Sequence, residues 1–190
     1  MAGPFNFKQI KPLNPLLALF PTGMYGIEHA YRVFKLVDRI GEFEGLKNET
    51  RQTLKFCALF SEIGRDEKTV DQNYGLKSFK KIEKKYFFEK GSFKNDLTRF
   101  LIECHHREAE YYIKKLESYK LKNRDEAIFL LKVLKDAMCL DSFRFGNFCA
   151  VDLEFSNSKK LILFASQFCR KELKQDLILE EIENWLSEIQ

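Results

Sequence analysis

Apolar residues recur along this chain at three- and four-residue intervals, and that spacing predicts helices. One stripe starts at Ile27, includes Phe34, and predicts a helix over 27–40 that ends at Gly41. The next apolar run follows Asn48, a residue type that caps helix N-termini, and predicts a second helix that runs to Phe60.

The same period continues through the rest of the sequence. A third helix is predicted from about Asn73 to the Gly91-Ser92 break, and later helices over about 93–119, 125–141, 159–170 and 173–189. A polar loop covers 66–72, and residues 142–157 are predicted to be irregular or partly helical. No run alternates convincingly with the strand period. The predicted class is therefore all-α, a single-domain bundle around one Phe-rich core.

Composition and segment order refine this picture. Residues 1–24 are predicted to pack on the body, 22–146 to form the helical core, and 147–190 to complete the same domain.

The net charge of +4 comes without a dense Lys/Arg block, so the chain shows no strong nucleic-acid signal. Five cysteines with no CxxC pair suggest neither a disulfide framework nor a structural zinc site. No apolar stretch reaches membrane-spanning length and no secretory signal is visible, so we expect a cytoplasmic protein.

Polar residues with possible functional roles follow the end of the second predicted helix. The apolar run there closes with Ser61, Glu62, Ile63 and Gly64. Polar residues this close to a buried run usually line a pocket or cap a helix. The chain also has three histidines, and each lies where an apolar stripe meets polar residues: His29, His105 and His106.

Five segments, taken together in order and spacing, resemble the HD-domain phosphohydrolase superfamily: Tyr25–Val33, Ala58–Arg65, Asp71–Ser78, Leu101–His106 and Leu134–Asp141. The resemblance covers roughly residues 22–146. It implies an HD-type helical bundle in which a His, a His-Asp doublet and a distant Asp hold a divalent metal, with a second metal in some members. It also implies hydrolysis of phosphoester bonds in nucleotides or related compounds, because such a metal activates water and steadies phosphate charge.

Several of the implied ligands are replaced in this chain. His29 matches the first metal histidine, and His105 matches a later one, with His106 beside it. The His-Asp doublet reads Ser61-Glu62, and serine is a poor ligand for these metals. Tyr74 stands where a second-metal histidine is implied, and Met138 replaces the last aspartate with a thioether.

Two aspartates, Asp136 and Asp141, flank Met138, and we expect their side chains to lie on a different face of the helix. One alternative is that His29, Glu62, His105 and Asp136 regroup around a displaced metal. A nucleophile arrangement of Ser61 or Cys104 with His29 and Glu62 is disfavoured, because adjacent Ser and Glu on one helix cannot easily orient the same histidine.

The favoured prediction is a catalytically degenerate HD-fold pseudoenzyme that needs no cofactor and binds a small ligand, possibly a nucleotide or another phosphate-bearing compound, or a protein partner. The alternative is an active metal-dependent phosphohydrolase that acts on a nucleotide or phosphomonoester through a rebuilt site. The predicted pocket residues are His29, Ser61, Glu62, Tyr74, His105 and Met138, with Cys139 as a further candidate. Possible ligand-binding residues are Arg65, Lys77, His106, Asp136 and Arg144. A third hypothesis, an interaction surface on the C-terminal helix with Trp185, is weaker than a closing core role for that helix.

Overall fold

The computed structural model of the chain describes residues 14–66, 69, 71–84 and 95–189, and within these ranges the regular structure is helical, with no strand. The all-α prediction is confirmed. The α-helices are α1 (Ile27–Phe43), α2 (Asn48–Phe60), α3 (Tyr74–Glu83), α4 (Asp96–Cys104), α5 (Ala109–Lys115), α6 (Arg124–Asp141), α7 (Ser156–Lys160), α8 (Ile162–Cys169) and α9 (Gln175–Glu188).

The bundle is centred on α1, which packs most extensively against α2 and α6, while α3 packs against α4. Its core contains fully buried aromatic rings, including Phe56, Phe60 and Phe100. Burial of each such ring contributes roughly 1.5–3 kcal/mol relative to an exposed ring. Helix α9 closes the same core through Trp185, whose ring meets Phe34 edge-on at 5.1 Å between centroids. The C-terminal helices therefore complete one domain with α1 and α6.

The N-terminal part of the described chain joins this core. Leu16, Leu19 and Phe20 are buried in it, around a short 3₁₀ helix at Leu17–Leu19. The rest of the predicted N-terminal segment, residues 1–13, lies outside the described residues. None of the helices in the described ranges has the length and apolarity to cross a bilayer.

Most predicted helix starts are close to the structure, and several ends differ. Helix α1 continues past Gly41 to Phe43. The predicted end of α3 at Gly91 falls outside the described residues. The helix predicted over 159–170 begins earlier, at Ser156, and is interrupted at Leu161. On the last helix, the apolar residue Leu177 is 60% exposed.

The long helix predicted over 93–119 is wrong, because the chain leaves α4 after Cys104 and resumes helical structure only at Ala109. The backbone tightens there into a turn in which Arg107 N donates to Cys104 O at 2.9 Å. The ring of His105 forms a hydrogen bond through Nδ1 with the carbonyl oxygen of Ile102 at 2.7 Å. The side chain therefore satisfies a backbone acceptor in the last turn of α4. His105 and His106 consequently lie on this turn rather than on a helix face.

Two glycines allow the helix ends around this turn to approach closely. A Cβ atom on Gly64 would lie 2.3 Å from Ser78 N and 2.4 Å from Tyr74 O. One on Gly75 would lie 2.5 Å from Ile102 O. The turn after α2, the start of α3 and the end of α4 therefore meet at backbone distance, which places Glu62, Tyr74 and His105 beside one another.

Candidate functional site

A cavity of about 300 Å³ lies where the start of α1, the turn after α2, the start of α3 and the ends of α4 and α6 converge. Its wall combines histidine, arginine, carboxylate and aromatic side chains, with one thioether and one thiol. The lining residues are Tyr25, His29, Glu62, Arg65, Tyr74, His105, His106, Met138, Cys139, Asp141, Ser142, Arg144 and Phe145.

Glu62 forms the first of two buried charge clusters in this wall. Its Oε1 lies 3.1 Å from His105 Nε2 and accepts from the Tyr74 hydroxyl at 3.4 Å, while Oε2 accepts from Arg65 Nη1 at 3.2 Å. Burial alone would raise the pKa of Glu62, but the hydrogen bond and charge of His105, helped by His29 and Arg65, hold it at about 2. Glu62 is therefore ionised in the folded protein.

Both ring nitrogens of His105 face hydrogen-bond acceptors. Nδ1 lies 2.7 Å from the carbonyl oxygen of Ile102, and Nε2 lies 3.1 Å from Oε1 of Glu62. His105 therefore pairs directly with the buried carboxylate of Glu62.

Asp141 forms the second cluster. Oδ2 accepts from His29 Nδ1 at 2.7 Å and from Arg144 Nε at 2.6 Å, and Oδ1 accepts from Arg32 Nε at 2.5 Å. Burial would raise the pKa of Asp141, but the hydrogen bond from His29 and the guanidinium of Arg32 lower it below its usual range. The hydrogen bond assigns the proton of His29 to Nδ1, so in the neutral ring Nε2 is an acceptor, and it has no hydrogen-bond partner among the described residues.

Tyr25 lies between the two arginines at the cavity wall. The guanidinium carbon of Arg65 is 3.5 Å from the centre of the Tyr25 ring, and that of Arg144 is 5.3 Å from it. Arg144 also donates from Nη1 to the Met24 carbonyl at 2.6 Å. Cation–π contact and carboxylate pairing together fix both guanidinium groups in place.

A second cavity, of about 610 Å³, adjoins the first and shares Tyr25, Arg65, Tyr74 and His106 with it. His106 stacks on Tyr74 at 4.1 Å between ring centroids, and its Nε2 donates to Gln72 O at 2.8 Å. Burial, together with the positive charge of His105, lowers the pKa of His106 to about 4. His106 is therefore a neutral ring at neutral pH.

Nine of the twelve residues predicted for the pocket or for ligand binding line this cavity: His29, Glu62, Arg65, Tyr74, His105, His106, Met138, Cys139 and Arg144. Ser61 does not; it is fully buried, its carbonyl accepts from Ser78 Oγ at 2.5 Å, and its own Oγ has no hydrogen-bond partner in the described part of the chain. Lys77 does not either, since its Nζ pairs with Asp71 Oδ2 at 2.5 Å on the surface.

Asp136 also lies outside the cavity. Its carboxylate accepts from the backbone N–H groups of Glu154 and Phe155 at 3.0 and 3.1 Å, so it anchors the segment before α7. Cys104, considered as a nucleophile, is buried with its Sγ 3.9 Å from the Tyr119 hydroxyl. Neither residue is in a position to act with His29.

Asp141, the carboxylate that holds His29, was not among the residues predicted for the site. We expected Asp141 to lie on a different face of the helix from Met138, and this is wrong, because both residues line the cavity. They are three positions apart, and residues at that spacing are neighbours on a helix surface. A helical count from Met138 could have found Asp141, and the same spacing links Asp141 to Arg144, which the sequence did predict. Tyr25 lies in the first of the resembling segments, and no local feature of the sequence predicts its contact with both arginines.

The resemblance implies a divalent metal, and the donors in this cavity do not fit one. Both nitrogens of His105 face acceptors, Nδ1 of His29 is bound to Asp141, and Glu62 is paired with His105 and Arg65. Within the described ranges no group of three His, Cys, Asp or Glu side chains is arranged to hold a metal ion. No step through a metal can be derived from this set of side chains.

Comparisons of the chain with protein-family models, with curated proteins and with solved structures gave no match.

Proposed function

We propose that this chain is a catalytically degenerate HD-fold protein that binds a small phosphate-bearing ligand in the 300 Å³ cavity without a metal. The observation that carries the proposal is the pair of cavity-lining guanidinium groups, Arg65 and Arg144, each held by a buried carboxylate. A guanidinium presents N–H donors in a planar fork that matches phosphate oxygens.

The arginines of the cavity wall favour an anion as the ligand. Arg65 and Arg144 line the cavity, and each guanidinium carries five N–H groups, more than its bonds to Glu62, or to Asp141 and the Met24 carbonyl, occupy. Such donors attract an anion more strongly in a partly enclosed cavity than in open water.

The dimensions of the two adjoining cavities suit a small organic phosphate. A volume of about 300 Å³ is at the lower end of the range for small-molecule sites. The neighbouring 610 Å³ space, lined by the Tyr74–His106 stack, can take an attached planar group such as a base. The HD-fold part of the proposal is supported by the convergence of the chain's resembling segments on one cavity.

Titration calorimetry in the presence of EDTA tests the proposal directly. The probes are inorganic phosphate, a phosphomonoester and nucleoside mono- and triphosphates. We expect one of them to bind, and we expect Arg65→Ala to weaken that binding by about 10-fold or more, since hydrogen bonds to charged groups are worth roughly 1.5–3 kcal/mol. Arg99→Ala is the matched control, because Arg99 pairs with Glu103 away from both cavities.

Two results would count against the proposal. One is a wild-type protein that binds none of the probes, which would favour a protein partner as the ligand. The other is equal affinity in the wild type and in Arg65→Ala, which would place the binding site elsewhere. Circular dichroism of both variants establishes that the compared proteins are folded.

The His29–Asp141 pair favours hydrolysis as a second candidate function. An Nδ1–H bonded to a carboxylate leaves Nε2 as a proton acceptor at the cavity wall, where it could activate water. Nucleotides and phosphomonoesters should be screened with manganese, iron, nickel or magnesium and, separately, with EDTA. Turnover that is abolished in His29→Ala would establish hydrolysis, and silence across the panel would leave binding alone.

A further inference from the structure

Two cysteines come together beside the cavity. Cys139 lies on α6, is half-buried and lines the cavity wall. Cys149 follows ten residues later and is exposed. The thiol of Cys139 lies 3.9 Å from the backbone carbonyl oxygen of Cys149, so the loop after α6 returns to the helix at this point.

A left-handed glycine turn and a pair of stacked rings bring this loop back to α6. A 3₁₀ helix at Ser142–Phe145 ends at Gly146, whose φ of 72° makes a left-handed turn. Across that turn the rings of Phe143 and Phe148 stack at 3.9 Å between centroids, nearly parallel at 18°. Ring stacking and the glycine turn together hold Cys149 against the end of α6.

We propose that Cys139 and Cys149 form a reversible disulfide when the protein meets a peroxide. The exposed sulfur of Cys149 attacks the O–O bond of hydrogen peroxide, which gives a sulfenic acid and water. The sulfur of Cys139 then attacks the sulfenic sulfur, and the hydroxyl group leaves as water with the proton of the Cys139 thiol. Overall, two thiols and one peroxide give one disulfide and two waters, and a dithiol reductant reverses the change.

The environments of the two thiols fix the order of these steps. Cys149 is open to solvent, whereas burial raises the pKa of Cys139 to about 11 and keeps it protonated until the sulfenic acid forms beside it. The sulfur of Cys139 lies 3.9 Å from the carbonyl oxygen of Cys149, which makes the two cysteines spatial neighbours. A bridge between them requires Cα atoms about 4.4–6.8 Å apart.

Each of the other cysteines is less available to an oxidant. Cys57 and Cys104 are buried. The thiol of Cys169 contacts the carbonyl oxygen of Leu140 at 3.8 Å and Oδ1 of Asp141 at 3.7 Å.

The disulfide would fix one wall of the cavity. Arg144 and Phe145 lie on the loop between the two cysteines and line the cavity. A bridge from Cys139 to Cys149 closes that loop covalently and removes conformations from the unfolded chain. We therefore expect oxidation to raise the Tm. This inference does not depend on which ligand the cavity binds.

Peptide mapping without reduction is the decisive experiment. Trypsin cleavage after Lys135, Arg144 and Lys159 puts Cys139 on peptide 136–144 and Cys149 on peptide 145–159. After mild peroxide treatment we expect these two peptides to appear linked, with a mass two hydrogens below their sum. Dithiothreitol should separate them.

Three variants complete the test. Cys149→Ser changes an exposed side chain, so it should fold normally and lose both the linked peptide and the rise in Tm. Cys139→Ser should lose the linked peptide too, whereas Cys169→Ser, the matched control, should keep it. The proposal is overturned if peroxide converts Cys149 to a sulfinic acid or an intermolecular bridge while Cys139 remains free to alkylation, or if Cys139 links to Cys169 instead.

Discussion

Removing the charge of Glu62 should destabilise the fold at neutral pH. The pKa of Glu62 falls from its ordinary value of 4.5 to about 2, and about 1.4 kcal/mol corresponds to each tenfold change in proton affinity. The shift therefore corresponds to about 3 kcal/mol by which the ionised carboxylate stabilises the folded protein. Because the Glu62 residue is only 4% exposed, solvent screens this interaction little. We expect Glu62→Gln to lower the free energy of unfolding by up to that amount.

The sign of the pH dependence follows from the direction of the shift. The pKa of Glu62 is lower in the folded than in the unfolded protein, so its contribution is fully present above about pH 4.5 and is lost as the pH falls towards 2. Wild-type stability should therefore fall with acid below pH 4.5 more steeply than that of Glu62→Gln.

Urea unfolding followed by the fluorescence of the single tryptophan, Trp185, measures both effects between pH 7 and pH 3.5. Glu110→Gln is the matched control, because Glu110 is exposed, and its pair with Lys114 should contribute less than about 1 kcal/mol. Two results would refute the stabilising role given to the contacts of Glu62 with His105 and Arg65. One is a Glu62→Gln protein as stable as the control at pH 7, and the other is a Glu62→Gln protein whose unfolding free energy falls with pH below 4.5 as steeply as that of the wild type.

Three further predictions concern the surroundings of the cavity. In proton NMR, His106 should titrate with a midpoint of about 4, below its usual pKa of 6.5. Because the unfolded chain then binds the proton more readily than the folded protein, the contribution of His106 to stability should decline as the pH falls from 6.5 to 4. Gly64→Ala should cost roughly 1–3 kcal/mol in urea unfolding, because its Cβ meets backbone atoms, whereas Gly41→Ala meets the flexible side chains of Arg51 and Leu46 and should cost less. Asp136→Ala should also lower the free energy of unfolding, by roughly 1–3 kcal/mol, without changing the affinity measured by calorimetry, because Asp136 holds backbone N–H groups outside the cavity.

The helical class could be predicted because apolar spacing is a local property with a direct structural cause. The stripe from Ile27 to Ile40 is buried as the period requires, and α2 ends at Phe60 as predicted, although its N-cap is Lys47 and not Asn48. The break after Cys104 could not be predicted in this way. No proline or glycine marks it, and it depends on the His105 ring bonding the Ile102 carbonyl, which the apolar period does not encode.

The predicted pocket residues lie together where the backbone alone places a side chain, and apart where another partner holds the side chain. Position alone brought His29, Glu62 and His105 to one cavity. Asp136 was a poor choice because its carboxylate is taken by the N–H groups of Glu154 and Phe155, a contact across eighteen residues that the sequence does not reveal.

The two buried carboxylates explain why the proposed site favours an anion over a metal. A buried carboxylate needs a nearby cation, and in this cavity the cations are side chains: His105 and Arg65 for Glu62, and Arg32 and Arg144 for Asp141. Once these pairs are formed, a metal would have to displace guanidinium groups, while an incoming phosphate finds them already oriented. The same arginines that neutralise the carboxylates therefore favour an anion as the ligand of this cavity.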